Sequence, residues 1–576
     1  IQCSFSLKLL QKKTADDTSV RFSSDLSEGE KEATESRKKT VLECLKTLGI
    51  SCEEKTMPNI AVLGSGGGLR ATIALLGTLT EMKNQGLLDA VMYLCGVSGS
   101  TWCMSTLYNG KDWAKNIVGL EGNLCAYLHS AEIDIEKELG LVTKAADGEL
   151  FSLTDVWEAF VVKSILKLQG RSKLSEHKAA ASNGINPYPI YAAIEQNTFD
   201  KDHTSPGKRA WFEFTPDESG FPGLDVFVST KDLGSKFQGG NLTAPQEEKD
   251  IGYLQSLWGS ALGSMQENKH YLIADFLNIF EKKTNCRMSK ISQEVSYTRK
   301  SQIKTRFFIL RFISTSNVNG PSIKLEEMVP RAPPGWQRHQ IGFLKLEIQR
   351  CYEVQMVESD QQFQNVWGKK SFQQTSPPSL WNWPKTLFPD TCCSSNSTKK
   401  KLITCFSNWT WGSTNNFLHK NGKIQTDGLD EREVLNLIDA GVANNCAYPL
   451  VLRPARRVGL ILSFDFSDGD PFETLKKASQ YCVENQILFP PIDVIKDQDN
   501  PSDCYVFEGQ GTPTVMHFPL FNTKNCPEPQ EIEKSREKFG TFNMYYAKND
   551  VDELLSKAGM NVSNNKEKIL EQIQKI

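Results

Sequence analysis

A chain of 576 residues with 39% hydrophobic and 23% charged residues has the balance of a globular protein, long enough for several domains of roughly 100–200 residues or one large domain with insertions. A formal net charge of -3 argues neither for nucleic acid nor for global attraction to an anionic membrane, so any membrane contact is local. No stretch reaches the ~20 apolar residues needed to span a bilayer, and cysteines scattered without a CxxC pair fit free thiols in a reducing compartment.

Taken in chain order, residues 1–57 are polar and charge-rich, then weakly helical in TVLECLKTLGI, and read as a lead segment without its own core. The opening IQCSFSLKLLQKKTADD does not have the pattern of a secretory signal, so the expected compartment is the cytosol. From residue 59 the pattern becomes strand, turn, helix, twice over: NIAVLG runs into GGGLRATIALLGTLTEMKNQG, and LLDAVMYLCG into VSGSTWCMSTLYNG. Short apolar runs alternating with helical patterns predict an α/β layered fold. Residues 281–401 change character, with PRAPPGW, QQTSPPSLWNWPKTLFPD and CCSSNSTKKK, and read as an insertion or cap, partly disordered. Regular patterning returns with VLNLIDAG, YPLVLRP and VGLILSFDFS, the last being the best buried-strand candidate.

Two of these turns carry chemistry. In CGVSGSTW, Ser98 follows an apolar strand and is flanked by Gly96 and Gly99, the setting of a nucleophile elbow. The general pattern G-x-S-x-G is broken by Ser100 at its last position. Gly66, Gly67 and Gly68 lie one strand–helix unit earlier, where backbone amides at a helix N-terminus can hold an oxyanion. Parallel neighbouring strands bring both turns to one sheet edge. A phosphate-binding nucleotide loop is the rival reading, but GSGGGLRA matches neither G-x-x-x-x-G-K-[ST] nor G-x-G-x-x-G.

The serine needs a base. None of the seven histidines sits at an evident strand end beside Gly or Asp, which leaves a carboxylate. Asp427 lies among polar residues in a solvated turn, whereas Asp439 ends the apolar run VLNLID, where desolvation makes a stronger base. Arg70 stands in the first turn of a helix, a place that disfavours cations, and so needs a partner; a substrate phosphate and an ordinary salt bridge are both open. Arg456, in LRPARRVGL, is the second candidate, with Arg453 and Arg457 as competing choices.

With these residues in view, GSGGGLRA, GVSGSTW, WFEFTP (211–216), GSKFQGG, LWGSALG, NWTWGSTNNFLHKNG and DAG…YPLVLRPARR…LILSFDFS together resemble the cytosolic, group IV phospholipase A2 family; SFDFSDGDPFET and VMHFPLFN are most like its gamma form. The resemblance runs from about residue 61 to 542, the insertion excepted. It implies a patatin-like three-layer α/β/α core with an inserted lid over residues 58–545. It also implies a Ser98–Asp439 dyad, an oxyanion hole of Gly66, Gly67 and possibly Gly68, and Arg70 and Arg456 holding the headgroup phosphate. The implied activity is sn-2 acyl ester hydrolysis of glycerophospholipids through an acyl-serine, with lysophospholipase and transacylase side reactions; no cofactor or metal is implied. A catalytically silent lipid binder is the alternative. Residues 1–57 are too few for the family's calcium-binding C2 module, which implies calcium-independent catalysis, and 546–576 read as a tail without a prenylation box. Partners are glycerophospholipid membranes or micelles, not nucleic acid. Ile303, Phe307 and Leu310 lie among basic residues, and Trp381 and Trp383 follow; both segments read as an interfacial contact or as a lid.

Overall fold

The computed structural model describes residues 19–264 and 401–576, save 130–134, 167–171, 202–206, 208, 402–403, 406–407, 424–427, 494–496, 542 and 544. The chain up to Gly263 and from Thr404 onward forms one compact unit, and 264–403 fall in a second. Ile303, Phe307, Leu310, Trp381 and Trp383, the insertion at 281–401 apart from Lys401, and the candidate Asp427 all lie outside the described residues.

Fourteen strands are present among the described residues: β1 (Arg21–Phe22), β2 (Asn59–Gly64), β3 (Tyr93–Gly96), β4 (Tyr188–Glu195), β5 (Trp211–Phe214), β6 (Glu218–Phe221), β7 (Val226–Ser229), β8 (Lys236–Gln238), β9 (Asn241–Ala244), β10 (Ser413–Asn415), β11 (Val434–Asp439), β12 (Val458–Asp465), β13 (Tyr505–Phe507) and β14 (Thr514–Pro519). Twelve form one sheet in the order β1-β7-β6-β5-β4-β3-β2-β12-β14-β13, with β10 and β11 joined to β4; β8 and β9 pair separately. The centre, β4-β3-β2-β12-β14, is parallel. Parallel strands covered on both faces read as unbroken apolar runs, and Ile60–Leu63 and Leu460–Leu462 are accordingly buried.

Helix α1 (Glu28–Thr47) starts where Ser27 accepts the Glu30 amide, with acidic residues in its first turn, an arrangement that suits the helix dipole. It reaches well back into the polar lead. The charges hid its buried stripe, because that stripe, Glu30, Ala33, Arg37, Val41 and Leu45, includes two ionic residues. Arg37 is satisfied by the carbonyls of Val91, Ile185 and Leu88, and Glu30 by Arg456.

Helix α2 (Gly68–Asn84) is buried almost all round, as expected of a helix with no solvent face. Its outer side meets the helix Lys548–Ser563, and a Cβ on Gly77 would lie 2.7 Å from the Leu555 carbonyl oxygen. The stretch expected as a tail is therefore packed, with Val551, Leu554, Ala558, Val562, Ile569 and Ile573 all buried.

Candidate active site

The turns after β2 and β3 lie side by side because the strands are parallel neighbours, with Gly64 opposite Gly96. Ser98 caps helix α3 (Gly99–Leu107) with φ 50 and ψ -121, a strained conformation for a residue with a Cβ and the hallmark of a nucleophile elbow. The turns are in contact: a Cβ on Gly99 would fall 1.9 Å from the Gly68 carbonyl oxygen, so only glycine fits there. Ser100 Oγ donates to the Ser65 carbonyl at 2.6 Å and Thr72 Oγ1 to the Gly99 carbonyl at 2.8 Å. The departure from G-x-S-x-G thus has a structural use, since the Ser100 hydroxyl ties one turn to the other.

Asp439 reaches Ser98 through strand geometry. On one flank of β4, β3 covers Tyr188–Tyr191, while β5 takes Tyr191–Ile194 on the other. Antiparallel β11 pairs with Ala193–Glu195, so it occupies β3's flank beyond the point where β3 ends. Its last residue, Asp439, opposite Ala193, therefore points back toward the turn that follows β3. Its carboxylate takes a hydrogen bond from the Gly441 amide at 2.8 Å and its own amide donates to Ser260 Oγ at 3.2 Å, and the Ser98 hydroxyl lies near enough to favour the charged carboxylate. Ser98 is 5% exposed and Asp439 1%. Burial pushes the Asp439 carboxyl up to about 7, against the Ser98 hydroxyl and the Gly441 amide, which favour the charged form. Among the described histidines, His177 bonds to Asn109 and His517 to the Pro471 carbonyl; His203, His270 and His339 lie outside the described residues.

The glycine row divides. The Gly66 amide donates to the Asn445 carbonyl at 2.9 Å, so it does not serve as an oxyanion donor, which corrects the expectation for that residue. Its role is steric: a Cβ there would meet Asn445 Oδ1 at 2.3 Å and Ser98 Cβ at 2.9 Å. Gly67 and Gly68 adopt φ 144 and φ 55 at the start of α2, where first-turn amides have no intrahelical acceptor.

The arginines differ from expectation more sharply. Arg456 precedes β12, and its carbonyl accepts from Asn59 Nδ2 at the start of β2. It therefore lies at the opposite edge of the sheet from Ser98, with its guanidinium 5.8 Å from the Tyr93 ring at the start of β3. All five of its N–H groups are engaged, by Glu30, Glu213 and the Leu450 carbonyl, and it is fully buried. No donor remains for a substrate phosphate, and that expectation is overturned. Arg453 joins the same network through Glu213 at 2.7 Å. Arg70 does lie at the catalytic edge: a Cβ on Gly67 would sit 2.6 Å from its Nη2. Its partners are Asp468 at 3.1 Å, Thr541 Oγ1 and the carbonyls of Phe466 and Phe539. Arg70 holds the Asp468 carboxyl below its usual range in spite of burial, with help from Thr541.

Three neighbours escaped the sequence reading. Ser260 lies in LWGSALG, quoted above without a role. Asn445 and Asp468 carried no signal, because their importance comes from contacts 379 and 398 positions away.

Comparison with known proteins gives the fold and the family. A family described as the lysophospholipase catalytic domain matches residues 60–306. Human GIVD cytosolic phospholipase A2 shares the fold, with a TM-score of 0.66 at 21% identity over 97% of this chain and 68% of that one. A second structure of that enzyme, in complex with methyl gamma-linolenyl fluorophosphonate, gives a TM-score of 0.60 at 22% identity over 97% of this chain and 66% of that one. The fold is thereby defined as the mixed α/β core of that structure. Among sequences, cytosolic phospholipase A2 gamma of Mus musculus is 38% identical over 96% of this chain and 91% of its own length, and that of Homo sapiens 37% identical over 96% and 95%. The chain belongs to the cytosolic phospholipase A2 family.

Proposed function

We propose that this hydrolase cleaves the sn-2 acyl ester of glycerophospholipids with Ser98 as nucleophile and Asp439 as its general base. The observation that carries the reading is a buried carboxylate close enough to feel the hydroxyl of a buried serine on a strained strand–helix turn. An Asp439 carboxyl near 7 is matched to a base working at neutral pH. In the first half-reaction Asp439 takes the Ser98 proton as Oγ attacks the ester carbonyl. The amides of Gly67 and Gly68 receive the oxyanion, and one such donor is worth roughly 2.7–4 kcal/mol of barrier. Collapse breaks the ester bond, and Asp439 returns the proton to the departing lysophospholipid oxygen. Water then attacks the acyl-serine with Asp439 again as base, releasing fatty acid and restoring Ser98.

Arg70 contributes positive charge behind the glycine turn, where it favours a substrate phosphate and the oxyanion alike. Because the intermediate is an acyl-enzyme, lysophospholipid is a second substrate and a lipid hydroxyl can replace water, giving lysophospholipase and transacylase reactions. Catalysis is inferred to be calcium-independent, since every proton and charge above is handled by this chain's own groups. The family core at 58–545 is inferred to act at membrane or micelle surfaces, with Ile303, Phe307, Leu310, Trp381 and Trp383 as interfacial contacts on the ground of their composition. No described helix is long and apolar enough to cross a membrane.

The test is fatty-acid release from phosphatidylcholine vesicles labelled at sn-2, with lysophosphatidylcholine in parallel, with and without a calcium chelator. Release is expected to survive the chelator and to fall at least a thousandfold in Ser98→Ala and Asp439→Asn, as loss of a nucleophile or base demands. Full activity in Asp439→Asn would refute the assignment of the base.

A further inference from the structure

We propose that Asn445 is a positioning residue for this hydrolysis, a strut that fixes the glycine turn relative to Ser98; the inference rests on the dyad reading above. Asn445 grips Gly66 from both sides. Its backbone carbonyl accepts the Gly66 amide at 2.9 Å, and its side-chain Nδ2 donates to the Gly66 carbonyl at 3.1 Å and to Ser467 Oγ at 2.8 Å. The Ser467 amide in turn donates to Asp465 Oδ1 at 2.9 Å, and that oxygen accepts Ser65 Oγ at 3.4 Å. Ser65 Oγ also accepts the Phe466 amide at 2.7 Å. The hydrogen bonds thus run from Asn445 through Ser467 and Asp465 to Ser65, whose peptide bond to Gly66 closes the loop around the glycine turn.

Two consequences follow from this placement. With its amide turned toward Asn445, Gly66 cannot rotate toward Ser98, which leaves the donor role to Gly67 and Gly68. The short segment from Asp439 to Asn445 also carries both the base and the strut, so one loop sets the base–nucleophile contact and the oxyanion donors together. The position requires a carboxamide. Nδ2 serves two acceptors, which an aspartate could not. A carboxylate there would also stand close to Asp439: Asn445 Oδ1 and Asp439 Oδ1 lie 3.0 and 3.1 Å from the Cβ that Gly441 lacks, hence within about 6 Å of each other, a range in which like charges raise a pKa. Asp439 is shifted by its burial, opposed by Ser98 and the Gly441 amide, rather than by a charged neighbour.

The experiment compares wild type, Ser98→Ala, Asn445→Ala and Asn445→Asp for kcat, KM and the pH profile of kcat/KM on micellar phosphatidylcholine, with the unfolding midpoint of each. Asn445→Ala should lower kcat about a hundredfold, the usual cost of a small misplacement of catalytic groups, with KM within about threefold and the midpoint little changed. Asn445→Asp should in addition move the acid limb of the profile upward by about one pH unit. Folded Asn445→Ala with wild-type kcat, or an unmoved acid limb in an active Asn445→Asp, overturns the strut while leaving the dyad standing. Wild type that releases no more fatty acid than Ser98→Ala overturns the dyad reading and this inference with it.

Discussion

Asp439 concentrates the physical conflict of the site in one residue. A carboxyl held at about 7 in the folded chain, against about 3.9 in an unfolded one, binds its proton more tightly when folded. The stability linked to that proton is complete below pH 4 and is lost as pH rises through 7, up to about 4 kcal/mol in all. Asp439→Asn keeps an acceptor for the Gly441 amide and removes the buried charge. It should therefore unfold at higher denaturant than wild type at pH 8, with the difference closing near pH 4. An asparagine variant no more stable at pH 8 would show that Asp439 is not desolvated in this way. Ser98 carries a smaller burden of the same kind, since a φ of 50 is a strain of order 1–3 kcal/mol that the contacting turns must hold in place.

At the scale of elements, what sequence discloses depends on how local the cause is. The strand–turn–helix pairs around Gly66 and Ser98 were legible because apolar runs, glycines and helical spacing lie within a few residues of one another. Asp439 was legible because a carboxylate ending an apolar strand is a local oddity. The direction of the Gly66 amide was not, since the backbone carbonyl that accepts it belongs to Asn445, 379 positions away. Helix α1 was only half seen: its buried face contains Glu30 and Arg37, and burial of charge cannot be foreseen without the partners. The same blindness produced the error at Arg456, whose partners Glu30 and Glu213 are 426 and 243 positions distant. A basic residue in a family motif reads as a ligand holder until the carboxylates that claim it come into view.

Across the whole unit, the two edges of the parallel sheet do different work. The edge at the strand C-termini gathers Ser98, Asp439, the glycine turn and Arg70, where parallel sheets ordinarily place their chemistry. The edge at the strand N-termini holds Arg456, Glu30, Glu213 and Arg453, ionic groups that burial would disfavour singly and that pair with one another. Burial works to lower the Arg456 guanidinium, but Glu213 and Glu30 raise it well above its usual range. Breaking such a set leaves uncompensated buried charge, a loss of about 3–5 kcal/mol. Arg456→Met should therefore reduce the unfolding midpoint by several degrees, while the folded fraction keeps the wild-type KM for phospholipid. A raised KM with unchanged stability would restore Arg456 to the substrate site.

The central claim is that Ser98, activated by Asp439 without a histidine, is the group that becomes acylated. Its most direct test is peptide mapping by mass spectrometry after treatment with an acyl fluorophosphonate, following the rate of labelling from pH 5 to 9. A single adduct on Ser98, with a rate that rises through a midpoint near 7 and collapses in Asp439→Asn, is the predicted result. An adduct on another residue, or an Asp439→Asn protein labelled at the wild-type rate, would contradict it.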